Sequence, residues 1–154
     1  MPDDIRVPTV PVEVDLLLSD GAEARVAIHL SSSSPFHDGS ETLDEFFNAT
    51  RGFLPVRDSG GRTQLVGRHA IVSATASASA PLLSRLPGRV LETIFFLKLH
   101  LDTGGVLEGT LVANLPTAAA RVSDAFNMAE DFLPVESSDL VTFVRKDRIV
   151  RVEI

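Results

Sequence analysis

Phe47, Asn48, Phe53, Leu54, Pro55 and Val56 recur as Phe126, Asn127, Phe132, Leu133, Pro134 and Val135, each 79 positions further along (47 to 126). A shared spacing for six such residues predicts an internal duplication, two copies of one small unit packed together. Val66, Ile71 and Val72 return as Val144, Ile149 and Val150 at a spacing of 78 (71 to 149). The stretches between these blocks, 57–65 and 136–143, are rich in Ser, Gly and charge, where a surface loop absorbs a change of length. A first repeat is expected at residues 10–76, a connector at 77–89 and a second repeat at 90–154.

Each copy opens with apolar residues at every second position, the period of a strand with one buried face. Val12, Val14, Leu16 and Leu18 share one phase, Glu13 and Asp15 the other; Asp20-Gly21 supplies turn chemistry, and Val26, Ile28 and Leu30 resume. The second copy follows the same plan through Phe95, Leu97, Leu99 and Leu101, a Gly104-Gly105 turn, and a return through Leu107, Leu111, Ala113 and Leu115. Gly109, inside the returning strand, predicts a bulge or sharp bend.

The copies diverge over 31–40, a Ser-rich run expected to form a flexible loop, and 116–120. Thr42-Leu43-Asp44-Glu45 then has the form of a capping box, in which the Thr hydroxyl and Glu carboxylate each satisfy a free amide at a helix start. A short helix carries Leu43, Phe46 and Phe47, and its counterpart carries Val122 and Phe126. Asn48 and Asn127 fall near the helix ends, where a left-handed backbone is tolerated. Pro55 and Pro134 forbid helical continuation and begin extended segments. Strands over Ile71, Val72, Ser73 and Ala74 and over Ile149, Val150, Arg151, Val152, Glu153 and Ile154 close the two copies. The connector reads as one short apolar turn held to the body by its leucines.

Sequential strands joined by tight turns imply antiparallel pairing. The expected fold is mainly β with short helices (α+β): two tandem, pseudo-symmetric antiparallel units forming small, partly open barrels or a shared sandwich. Half a chain of 154 residues is marginal alone, so the copies are expected to share a buried face. Phe47, Phe53, Phe126 and Phe132 are expected to meet there about a pseudo-twofold axis, each burial worth roughly 1.5–3 kcal/mol.

Arg121-Val122-Ser123-Asp124-Ala125-Phe126-Asn127, Phe132-Leu133-Pro134-Val135, and the strand from Val144 through Ile149 and Val150 to Val152 resemble an uncharacterised bacterial domain. Its pattern reads R-L-S-D-F-L-N, then F-I-P-V, then V-N-K-x-x-I-V-x-V; Arg145 stands in place of the usual Asn. The first copy follows more loosely, through Thr42-Leu43-Asp44-Glu45-Phe46-Phe47-Asn48 and Val66-Gly67-Arg68-His69-Ala70-Ile71-Val72. This resemblance implies a fold and no activity. The glycine-turn hairpin, Gly109 and the closing strand are also similar in outline to Sm-like small barrels, which bind RNA through a loop Asn and an Arg-Gly pair. Gly67-Arg68 has the reverse order and Arg145-Lys146 has no glycine, so those RNA-binding residues are not carried over.

The absence of cysteine removes disulfide scaffolds and thiolate metal sites and fits a cytoplasmic address. No stretch reaches the ~18–20 apolar residues that span a bilayer. The acidic Met1-Pro2-Asp3-Asp4 is opposite in charge to a signal peptide's opening, so no membrane partner is expected. A net charge of −7 disfavours broad adsorption to phosphate backbones.

The best polar candidates for binding are Arg145, Lys146, Arg148 and Arg151, with Arg68 and His69 in the first copy and Arg62 nearby. They suit an acidic partner or nucleic acid; structurally, such residues blunt an exposed edge strand, and that reading is preferred. With no Tyr or Trp to stack on bases, the nucleic-acid reading is the weaker one. No catalytic group, metal site or cofactor is expected: His100 and Asp102 lack a third ligand, and Asp44-Glu45 and Glu130-Asp131 read as helix-flanking acids. Neither a nucleophile elbow nor a phosphate loop is present. The expected function is a non-enzymatic soluble scaffold or regulatory interaction module with a protein partner or self-association. A nucleic-acid-binding Sm-like barrel is the runner-up, and a small-ligand-binding protein the third reading.

Overall fold

The period-2 segments become long strands, and the turn residues between them become hairpins. The structure, a computed structural model, describes residues 9–49, 51–80, 83, 92–114, 121–127 and 131–154. Its elements are β1 (Thr9–Leu18), β2 (Glu23–Ser31), α1 (Leu43–Asn48), β3 (Phe53–Arg57), β4 (Thr63–Gly67), a 3₁₀ turn (Arg68–Ala70) and β5 (Ile71–Ser77). There follow β6 (Glu92–Leu101), β7 (Val106–Asn114), α2 (Val122–Phe126), β8 (Phe132–Ser137), β9 (Leu140–Arg145), a second 3₁₀ turn (Lys146–Arg148) and β10 (Ile149–Glu153). The protein is mainly β: these strands form one antiparallel sheet in the order β10-β6-β7-β8-β9-β5-β1-β2-β3-β4.

Register explains the burial. Val12 lies opposite Ile28 and Val14 opposite Val26, and all four are buried, because residues two apart share a face. At the hairpin tips Gly21 and Gly104 take φ values of 87° and 88°, a left-handed conformation that glycine adopts without steric cost.

The middle of the sheet departs from strict alternation. Ser73, Ala74, Thr75 and Ala76 of β5 pair with Val144, Phe143, Thr142 and Val141 of β9, and both strands are buried along most of their length. Each lies between two neighbours, and its two faces feed different apolar clusters. Ile71, Ala74, Ala76, Val141 and Phe143 enter a cluster with β1, β2 and α1. Val72 and Val144 enter a second cluster with Leu97, Leu99, Leu111 and Val135.

This seam corrects the expected symmetry. A two-fold axis between the halves would bring like strands together, β5 against β10 or β4 against β9; β9 meets β5 instead. The phenylalanines follow suit. Phe47 and Phe132 are fully buried, but Phe53 is 59% exposed, and Phe126 lies half-buried against the second cluster.

Further differences have local causes. The expected capping box forms by half: the Glu45 N–H donates to Thr42 Oγ1 at 3.2 Å, while the Glu45 carboxylate accepts from Ser34 Oγ at 2.6 Å and pairs with His37 Nε2. These bonds fasten the Ser-rich run, expected to be a free loop, to α1. Neither Asn48 nor Asn127 is left-handed, since Ser138 is the sole non-glycine residue with positive φ among those described. Of the connector's leucines, Leu83 packs against the first cluster; 81, 82 and 84–91 lie outside the described residues, as do 115–120 and Glu130. Among the described residues no helix is long and apolar enough to cross a membrane.

Candidate functional site at the seam between β9 and β5

The two 3₁₀ turns follow β4 and β9, and that placement gathers the basic side chains. Arg68 lies flat against the body: its Nε donates to the Phe47 carbonyl at 2.9 Å and its Nη2 to Asp131 Oδ2 at 2.7 Å. Arg145 donates through Nη1 to the Arg68 carbonyl at 2.5 Å and through Nε to Asp147 Oδ1 at 2.7 Å. Both guanidinium groups stand over the Phe132 ring, 5.5 Å and 6.0 Å from its centroid. Arg148 bridges Asp102 Oδ2 at 2.8 Å and the His69 carbonyl at 3.4 Å.

Arg68, Arg145 and Arg148 therefore join the halves, each reaching from one half to a carbonyl or carboxylate of the other or bracing a residue that does. A guanidinium's five fixed donors suit it to capping backbone carbonyls at such a joint. Lys146 Nζ donates to the Phe126 carbonyl at 3.3 Å. His69 is exposed and meets the Phe53 ring edge-on at 6.2 Å, and Arg151 is exposed on β10. The structure thus brings five of the six predicted residues into one region, His69 through its carbonyl, and leaves Arg151 apart. The expected edge-blunting role does not describe Arg145, because β9 lies inside the sheet; β4 and β10 are its edges.

Two groups at the seam had no chemical signal in the sequence. Asn48 clamps the backbone of Phe132, its Oδ1 accepting from the Phe132 N–H at 2.9 Å and its Nδ2 donating to the Phe132 carbonyl at 3.3 Å. Its recurrence as Asn127 was the available clue, although Asn127 is exposed and, among the described residues, its side chain donates to the Ser123 carbonyl at 2.7 Å. Asp131, the acceptor for Arg68, stood out only as half of an acidic pair. Asn48→Ala is expected to cost about 1–3 kcal/mol, because it strands a part-buried amide. Asn127→Ala should cost a small fraction of that. Chemical denaturation of both variants checks the contrast, and equal effects would reject the clamp.

His100 and Asp102, considered as metal ligands, are engaged otherwise. His100 Nε2 pairs with Glu153 Oε2 at 2.6 Å, and Asp102 takes Arg148. Among the described residues no group of three or more His, Asp or Glu is placed to hold a metal ion. An open groove of about 550 Å³ passes Phe96, Lys98, Glu108, Gly109 and Glu153; there Lys98 pairs with Glu108 at 3.8 Å.

The hydrogen bond from His100, with the nearby charges of His100, Lys98 and Arg151, holds the Glu153 carboxyl below its ordinary value. A carboxyl lowered in the folded state contributes stability above its unfolded pKa, and loses it as pH falls through the folded one. The β10 amides are therefore expected to lose hydrogen-exchange protection on acidification below the usual glutamate range, ahead of β6. Glu153→Gln should flatten that part of the pH profile.

Compared with models of protein families, with curated proteins and with solved structures, the chain matches none.

Proposed function

We propose that this protein is a non-enzymatic scaffold or regulatory interaction module, built from a duplicated small β domain and acting through the edges of its sheet. The duplication is supported by register as well as by sequence. Leu16↔Ala74 and Leu17↔Ser73 correspond to Leu99↔Val152 and His100↔Arg151, at a spacing of 83 in the hairpins (16 to 99). The same slip recurs, since Leu18 pairs with Ile71 and Leu101 with Ile149, passing over Val72 and Val150. Phe53↔Gly67 corresponds to Phe132↔Arg145. The strand orders β5-β1-β2-β3-β4 and β10-β6-β7-β8-β9 repeat one another, as a duplicated unit requires.

The observation that carries the functional reading is the character of the edges. Proteins protect open edges with charge, proline or bulges. Yet β4, Thr-Gln-Leu-Val-Gly, has neither charge nor proline, and its Leu65 is 69% exposed. By contrast, the guanidinium groups that a nucleic-acid reading needs are largely spent on the seam.

Affinity capture from the native organism with wild-type and Leu65→Lys bait tests the proposal. A partner retained by the wild type and lost from the edge variant is expected. Equal retention would reject the edge as the contact, and nuclease-sensitive retention that falls with Arg151→Glu would move the reading to nucleic acid.

A further inference from the structure

We infer that copies of this chain add to one another head to tail, the β4 edge of one pairing antiparallel with the β10 edge of the next. This rests on the edge-acting reading above and names the partner as a second copy. The seam inside the chain is the template for this contact. β9 corresponds to β4, and β5 to β10, so the pairing of β9 with β5 is a finished example of a contact whose two other halves, among the described residues, stand without a neighbour at the ends of the sheet.

The internal register carries over residue by residue. Ser73↔Val144, Ala74↔Phe143, Thr75↔Thr142 and Ala76↔Val141 become Arg151↔Val66, Val152↔Leu65, Glu153↔Gln64 and Ile154↔Thr63 between copies. Exposure marks the missing neighbour. Val72, Ala76, Phe132 and Phe143 are buried at the seam, whereas their counterparts Val150, Ile154, Phe53 and Leu65 are 66%, 88%, 59% and 69% exposed. Phe53 waits where Phe132 meets Phe47 of the adjoining half, 5.5 Å between ring centroids; the partner's Phe126 takes that place.

The seam's charged braces do not carry over. Arg145, Arg148 and Asp131 correspond to Gly67, Ala70 and Gly52, so the intermolecular contact has the ladder and the apolar residues without the arginine joints. The association is therefore reversible, while the internal seam is permanent. A contact between unlike surfaces leaves one free edge of each kind at the ends of every open assembly.

Intact-mass and sedimentation measurements on the purified chain, from low micromolar to near-millimolar, should show multiples of the 16.6 kDa chain growing with concentration. Leu65→Lys and Val150→Lys each alter an exposed side chain, so both should fold, as circular dichroism will verify. Each alone should remain a single chain, and an equimolar mixture should give a two-chain species and nothing larger, because one intact β4 and one intact β10 remain. A wild type that stays single throughout, association that both variants retain, or a mixture that stays monomeric would overturn the inference. A single-chain wild type that still captures another protein through β4 would overturn it and leave the edge reading standing; capture unaffected by Leu65→Lys would remove both.

Discussion

Phe132→Ala is expected to destabilise the protein by about 3–5 kcal/mol, a large part of the roughly 5–15 kcal/mol that holds a typical domain folded. Phe132 starts β8 in the second half, but its ring is fully buried in the cluster of the first. There Phe47 lies 5.5 Å away, and Arg68 and Arg145 cover the ring from outside. Truncation leaves a cavity, removes the ring under two cations and loosens the clamp from Asn48. The loss should appear in the denaturation midpoint and as faster amide exchange in β1 and β2, far away in the chain. Phe53→Ala, at the same place in the other Phe-Leu-Pro-Val stretch, should change the stability of the dilute protein by no more than about 0.5 kcal/mol, as exposed sites generally do. Exchange confined to β6 through β10, or comparable costs for the two alanines, would mean that the halves are stabilised separately.

Gly109→Val should cost the upper end of the roughly 1–3 kcal/mol associated with overpacking, or more. A Cβ at Gly109 would lie 2.4 Å from the Glu136 carbonyl oxygen and 2.7 Å from Val135 Cγ1. The first obstacle is backbone and cannot swing aside. Relief requires β8 to retreat from β7, where Thr110↔Glu136 and Leu111↔Val135 are the pairs that join these strands. Under the proposed duplication the corresponding residue is Val26, which is buried in its own cluster, so the substitution makes the two sequences more alike while the space for it is missing. Thermal and denaturant unfolding decide the matter, and an unchanged midpoint would show that β8 gives way freely. Gly109→Ala meets the same carbonyl and should fall on the same side, with a smaller cost.

What could be read from the sequence is what local chemistry controls. Period-2 alternation located β1, β2 and β6, the glycine turns located the hairpin tips, and Thr42 located the start of α1 through a short-range bond to a helix amide. A recurring Asn and a recurring Phe-Leu-Pro-Val marked two places worth attention. The stretch 136–143 read as a surface loop although β9 begins at Leu140, and β5 showed no single buried face; the physical reason is shared, since pattern reports a buried face only when the opposite face is wet, and both strands are covered on both.

The basic cluster was visible as residues and opaque as chemistry. Arg145, Arg148 and Arg68 are close in space because two 3₁₀ turns, far apart in the chain, lie on either side of one seam. Whether a cation is a ligand or a brace depends on the carbonyls of Phe47, Arg68 and His69 that the fold delivers to it. The same holds for the two repeated Phe residues that start β3 and β8. Identical letters in equivalent strands, Phe53 and Phe132 differ in burial because only one has a neighbouring helix against it. Local periodicity and turn chemistry were settled by the sequence alone; strand order, and with it the choice of buried ring, free edge and paired charge, was settled by long-range pairing that no short stretch of chain encodes.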